Sequence, residues 1–281
     1  GQACTTGYYN TCVGRRTGYQ LTTGYNNAFM GRQAGQNTDS GYENVAIGSV
    51  ALNSNTTGFY NVAIGAIAGR YLTTAEGNTF VGRRSGEDVT TGSYNTCVGH
   101  GTMLTATTSE NNTIMGRDAG EEISTGSNNV CLGMFAGRNA SPSGQITTGS
   151  NNVVLGNNNT TNLYCADTTI SSSDSRDKTD ITSFNLGLAW IEVLRPVTYR
   201  WDRRTWYGTN EEPYGTPDGS KKRSQLHIGF LAQEALDIEK ANGYGTSNDD
   251  SLTVHLNEDK MSYGMKYERL VPILVNAIKE L

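Results

Sequence analysis

A glycine returns every 17 residues through the first part of this chain: Gly14, Gly31, Gly48, Gly65, Gly82, Gly99, Gly116 and Gly133. Gly156 follows after an insertion of six residues. Four residues before each of these glycines stands an asparagine, at Asn10, Asn27, Asn44, Asn61, Asn78, Asn95, Asn112, Asn129 and Asn152. A fixed short period makes each unit one rung of a stack, stabilised by its neighbours rather than by a core of its own. About 160 residues are therefore expected to form a rod and not a globule.

Residues 41–51, GYENVAIGSVA, illustrate the rung. A strand of three or four residues lies between the two glycines, with Val45 and Ile47 on one side and Ala46 on the other. Both sides are apolar in Val62-Ala63-Ile64 and Val130-Cys131-Leu132, which places such strands inside a solenoid or between chains. The recurrent glycine suits a tight corner where φ is positive or backbones approach closely. Small pairs such as Ala34-Gly35, Ala68-Gly69 and Ala119-Gly120 leave room for a second corner or a neighbouring chain, and Thr-Thr-Gly closes the rung at 22–24, 56–58, 90–92 and 147–149. The asparagines are expected to form a structural ladder of side-chain amides. Tyr8, Tyr25, Tyr42 and Phe59 share the position six before the glycine, and Tyr9, Tyr60 and Tyr94 the next one. These aromatics cover a corner or, in the alternative, form a carbohydrate-binding stripe. A single 17-residue coil buries little and leaves apolar faces such as Ala66-Ile67-Ala68 bare; three chains about one axis would cover them.

Cys12, Cys97 and Cys131 sit two before the glycine, where other rungs carry Phe29, Ala46, Phe80 or Ile114, so they read as small hydrophobes. Cys97 and Cys131 are two rungs apart, roughly 9.6 Å at about 4.8 Å per strand. A disulfide needs Cα atoms within about 7 Å, which excludes a bridge between them. The spacing leaves Cys4 and Cys165 open.

Composition changes along the 281 residues. Residues 1–172 hold eight Arg, ten Asp or Glu and no Lys, whereas residues 173–281 hold all seven Lys, all three Trp and four of the five Pro. Two domains follow, a repeat shaft with its tip at 1–172 and a second domain at 173–281. With a formal charge of −5 and no basic half, nucleic acid is not an expected partner. No apolar run approaches the length of a membrane span. Gly1 is preceded by neither a Met nor a signal-like segment, as expected of a piece of something longer.

The second domain reads as a helix through Leu186, Leu188, Ile191 and Leu194, stopping before Pro196. Next come a strand over 197–201, a loop or hairpin tip over 208–224, and a stretch from His227 leading into a second helix. A final helix carries Leu270, Ile273, Leu274, Ala277, Ile278 and Leu281 on one face. His100, His227 and His255 have no metal-ligand spacing, and no cofactor or metal is expected. A glycosidase would need two carboxylates across a cleft, and the repeats hold only ten acids up to residue 172, so no enzymatic activity is expected in the shaft.

The NVAIGxxAG units resemble the β-roll heads of trimeric autotransporter adhesins and the GxYNTAxG repeats of phage tail fibres, over residues 7–156. Four motifs follow in order: Ser173-Asp174-x-Arg176-x-Lys178, LRPVTYRW from Leu194 to Trp201, IGFLAQE from Ile228 to Glu234, and YERLVPILVNAIKEL from Tyr267 to Leu281. Residues 173–281 thereby resemble the intramolecular-chaperone peptidases at the C-termini of phage endosialidases and tail fibres, and in myelin regulatory factors.

The resemblance implies a mainly β fold, a homotrimeric β-solenoid or β-roll shaft followed by a smaller α+β chaperone domain ending in a helix. It also implies a single-turnover serine peptidase that cuts the Ser172–Ser173 bond and releases the chaperone, with Ser173 as nucleophile, Lys178 as base, and Asp174 and Arg176 in support. The chemistry is coherent. A lysine accepts a proton only when neutral, so its pKa must fall from about 10.4 toward 7–8 by burial, and cleavage should await folding around Lys178. Nearby carboxylates (Asp174, Asp177, Asp180) oppose this unless they point away or pair with Arg176. The expected setting is the virion, in a tail fibre made in the host cytoplasm that binds a bacterial surface receptor, a polysaccharide or an outer-membrane component. Candidate contacts are Tyr8, Tyr25, Tyr42, Tyr60 and Tyr94, the insertion Ser141–Ile146 and the tip Asn157–Ile170. Alternatives are a bacterial trimeric adhesin head and a tailspike polysaccharide-degrading enzyme.

Overall fold

A computed structural model of the protein describes residues 4–139, 141–163, 173–209, 212–257 and 261–281, without the side chain of Asp177. Two compact units divide the chain, Gly1–Thr160 and Thr161–Leu281.

The first unit is a β-solenoid. Its nine strands are β1 (Thr11–Val13), β2 (Ala28–Met30), β3 (Val45–Ile47), β4 (Val62–Ile64), β5 (Thr79–Val81), β6 (Thr96–Val98), β7 (Thr113–Met115), β8 (Val130–Leu132) and β9 (Val153–Leu155). They form one parallel sheet in sequence order, and residue i pairs with residue i+17 in the register Val45↔Val62, Ala46↔Ala63, Ile47↔Ile64. The six-residue insertion moves the last pairing to Val130↔Val153 without disturbing the stack. The repeated glycine is the corner. Gly48 has φ +132°, and a Cβ there would lie 2.6 Å from the carbonyl of Gly65 in the next rung, so no other residue fits.

The middle residue of each strand points inward. Phe29, Ala46, Ala63, Phe80, Cys97 and Ile114 are buried, and Leu52, Leu72, Met103 and Ile123 from the segments between strands join the same core. Burial raises the thiol pKa values of Cys97 and Cys131, and Cys4, Cys12, Cys97 and Cys131 are free thiols. Cys165 lies outside the described residues. The asparagine ladder is complete from rung to rung. Asn61 donates its side-chain amide to Asn44 Oδ1 at 3.1 Å and to the Ala75 carbonyl at 2.8 Å. Its own Oδ1 accepts from the backbone N–H and the side chain of Asn78 at 3.0 and 3.1 Å. Every polar atom of this fully buried amide is thereby satisfied.

One expectation needs correcting. Ala68 is a core residue with no exposure, so Ala66-Ile67-Ala68 is not the bare apolar face. That face is the outward column at the third strand position, where Val13 and Met30 are each 51% exposed and Ile47, Ile64, Met115 and Leu155 between 38% and 44%. The alternation of the strand sends Ala46 into the core and Ile47 out of it.

The second unit is α+β. Helix α1 (Leu188–Val193) is followed by β10 (Val197–Tyr199), which pairs antiparallel with β11 (His227–Gly229). Helix α2 (Ala232–Ala241) comes next, then the antiparallel pair β12 (Val254–Leu256) and β13 (Tyr263–Met265), and last α3 (Leu270–Glu280). Trp190, Leu194, Ala235, Val254, Leu270 and Ile273 form the core. Helix α1 starts two residues later than the leucine pattern suggests. Gly187 breaks the helical backbone at φ −145°, ψ −104°, and the Leu186 carbonyl accepts instead from Asn276 of α3 at 3.2 Å. Helix α3 also departs from expectation. Leu270, Ile273 and Ala277 face the core, whereas Leu274 (43%), Ile278 (70%) and Leu281 (90%) are exposed together with Val271 and Val275. Its apolar arc is two faces, of which this chain covers one.

Candidate active site

The hexapeptide from Ser173 to Lys178 winds into a single 3-10 turn over Ser175–Asp177. Asp174 caps it, with its Oδ1 accepting the Arg176 backbone N–H at 2.9 Å; a short carboxylate in extended backbone is well suited to that position. Lys178 leaves the turn extended, at φ −115°, ψ 138°. The segment is thus folded back on itself, and Lys178 Nζ donates to Ser173 Oγ at 2.7 Å.

Arg176 presents its guanidinium to the same Asp174, with Nε at 3.0 and 3.1 Å from the two carboxylate oxygens and Nη2 at 2.5 Å from one. That pairing, with the backbone bond, holds the Asp174 carboxyl below the usual carboxylate range. The Asp174 charge, a few residues from Lys178, is therefore engaged by Arg176. Asp180 receives the Thr179 hydroxyl at 3.4 Å, and among the described residues Lys178 forms no salt bridge. The expected Asp177 influence lies outside the described side chains, and Ser172, the residue before the expected cut, lies outside the described residues. Ser173 and Lys178 are both exposed. The burial that a neutral Lys178 requires is not supplied by the described residues of this chain.

Away from this turn, Tyr8, Tyr25, Tyr42 and Phe59 form a face-to-face stack with ring centroids 4.8 to 5.1 Å apart. Mutual burial raises the pKa values of Tyr25 and Tyr42. Tyr60 stands at right angles to the stack, and the Tyr94 hydroxyl donates to the Glu76 carboxylate. The insertion is a self-bonded loop: Ser141 Oγ donates to the Gly144 carbonyl at 3.1 Å, and Ile146 returns to the core with its N–H on the Gly137 carbonyl at 3.0 Å. At the tip, Asn157 reaches back to the Met134 carbonyl at 2.9 Å; residues 164–170 lie outside the description.

One group carried no signal in the sequence. Glu239 of α2 is fully buried, and its carboxylate accepts from the Ser251 and Thr253 hydroxyls and from the N–H groups of Leu252, Thr253 and Val254, at 2.5 to 3.0 Å. It fixes the approach to β12, and only the fold brings residues 239 and 251–254 together.

Residues 173–244 match the model of the family described as chaperone of endosialidase, Peptidase_S74. The match lies within the second unit and follows the β-solenoid in the sequence. The family's name suggests self-cleaving peptidase activity. No curated protein and no solved structure matches the chain.

Proposed function

We propose that this protein is the distal part of a phage tail fibre that attaches to a bacterial surface, and that its C-terminal domain seeds a homotrimer, sets the register of the repeats and then cuts itself away. The single observation that carries the cleavage step is the 2.7 Å contact between Lys178 Nζ and Ser173 Oγ, at the head of the segment that matches the chaperone family. A hydroxyl becomes a nucleophile when an adjacent base takes its proton. Neutral Lys178 removes the Ser173 proton, Oγ attacks the carbonyl carbon of Ser172, and the proton passes to the departing Ser173 nitrogen. The resulting ester is hydrolysed by one water. Asp174 caps the turn and, paired with Arg176, keeps its charge from opposing a neutral Lys178.

A lysine loses its proton readily only when desolvated, and both partners are exposed here. Neighbouring chains supply the cover, so cleavage follows assembly. Trimerisation is supported by two bare apolar surfaces, the outward strand column and the second face of α3. Val271, Leu274, Val275 and Ile278 follow the three-and-four spacing of a coiled-coil seam. Apolar surfaces that are long and regular mark interaction sites.

Wild type, Ser173→Ala and Lys178→Ala are compared by denaturing gel and intact mass. The wild type yields pieces of 172 and 109 residues, by division of the 281 at Ser173, and both variants stay whole. Cleavage of Lys178→Ala at the wild-type rate would remove the proposed base.

A further inference from the structure

The aromatic corner of the solenoid contains two columns that do different things. In the first, Tyr8, Tyr25, Tyr42 and Phe59 lie parallel to within 6°, so the inner rings have neighbours on both faces and nothing else can stack on them. The second column, one residue on, holds Tyr9, Tyr60 and Tyr94, which are 83%, 52% and 54% exposed.

Their backbone is the informative part. All three are left-handed, at φ 54°, 57° and 59°, a region that glycine and asparagine tolerate and bulky side chains do not favour. Other rungs meet this demand with Asn26, Gly77, Asn111, Asn128 and Asn151, and one with Glu43. Tyrosine here works against the backbone and leaves half or more of its surface in water, a costlier choice than the asparagine of neighbouring rungs. Each ring is nevertheless held. Tyr9 and Tyr60 rest edge-to-face, at about 80°, on Tyr8 and Phe59. Tyr94 lies over Gly77, where a Cβ would come within 2.7 Å of its ring, and is tied to Glu76. Rigid, half-bare aromatic rings lose little freedom on binding.

We propose that Tyr9, Tyr60 and Tyr94 form a platform for a neutral polysaccharide lying along the solenoid. The C–H faces of pyranose rings pack on aromatic faces, and the adjoining Asn111, Asn128 and Asn151 offer amides to hydroxyls. Together the two corner columns contain Glu43, Glu76 and Glu110 and no Lys or Arg, which disfavours a polyanion. Tyr60 and Tyr94 are two rungs apart and Tyr9 and Tyr60 three, roughly 10 and 14 Å at the usual strand spacing. Only an extended, repeating ligand reaches all of them. The inference rests on the attachment role proposed above and names its ligand class.

The test uses the full chain, with dextran, mannan and galactan as neutral probes and alginate as the anionic one, in affinity electrophoresis. Wild type is retarded by at least one neutral polysaccharide and not by alginate. The double variant Tyr60→Asn with Tyr94→Asn, which borrows the residue of neighbouring rungs, weakens that retardation tenfold or more, while remaining trimeric with an unchanged or higher Tm. Wild-type retardation of the double variant, a lowered Tm, dissociation of its trimer, preference for alginate, or no retardation by any neutral probe overturns the proposal. Cleavage and trimer formation of the wild type, read on parallel gels, report separately on the preceding proposal.

Discussion

The two units of this chain hold themselves together in opposite ways. In the solenoid the backbone ladder is made of copies: Val45 N–H donates to the Asn61 carbonyl, Val62 N–H to that of Asn78 and Thr79 N–H to that of Asn95, each at 2.8 Å. In the second unit each long-range bond occurs once. Leu188 N–H donates to Glu280 at 2.7 Å across 92 residues, and Asn276 donates to the Phe184 carbonyl at 2.7 Å. A chain of copies can slide by one rung against its neighbours and recover nearly all its contacts, so its register is weakly specified. A set of unique contacts has no near-equivalent arrangement. In the assembly proposed above, alignment is the task of the unit without repeats, and the repeats contribute length.

The strongest way to break this comparison is to remove the non-repetitive unit. Residues 1–172 expressed alone are expected to lose essentially all soluble native trimer, as measured by soluble fraction and native mass spectrometry. The β-solenoid is built from parallel, non-local pairings, which form slowly and expose strand edges while they wait. Soluble trimer of native mass from this piece would show that the repeats carry their own register.

Next in size is the removal of one unique contact. Glu239→Ala takes away the carboxylate that accepts from five donors of the 251–254 segment. Buried donors left without partners cost about 1–3 kcal/mol each, with incomplete additivity. The second unit should lose at least about 3 kcal/mol in urea unfolding, and assembly and self-cleavage should fall with it. A stability change under about 1 kcal/mol would mean that water replaces the carboxylate at no cost.

How much of this was legible in the sequence follows the same division. Period, corner glycines, amide ladder and stacked tyrosines are local and repeated, so Asn61 and Tyr42 could be placed from spacing alone. Which apolar face the chain covers for itself was not legible. Ala46 and Ile47 are both hydrophobic, and only the direction of coiling sends one inward. Helix α3 posed the same ambiguity, since an arc containing Leu270, Leu274 and Ile278 does not say which of these residues the fold itself covers. In the turn at Ser173, the distance to Lys178 depends on the Asp174 cap, which only the folded backbone displays. Glu239 was invisible because its partners lie more than ten residues away in a loop without a motif.

The smallest effect comes from removing one of the copies. Asn61→Ala leaves the Asn78 N–H without its acceptor and the Ala75 carbonyl without its donor. The cost should be about 2 kcal/mol, similar in kind to the loss at Glu239 but different in reach. Each rung touches only its neighbours, so the damage stays local in a quasi-one-dimensional stack. Hydrogen exchange should accelerate at β3, β4 and β5 and remain at wild-type rates in β1 and β8, while the trimer and its cleavage persist. Asn61→Asp should cost more than Asn61→Ala, because a carboxylate would face the Asn44 Oδ1 and the Ala75 carbonyl with no proton to share. Acceleration spread evenly over all nine strands would show that the solenoid unfolds as one cooperative body, and the contrast between a repeated and a unique contact would then vanish.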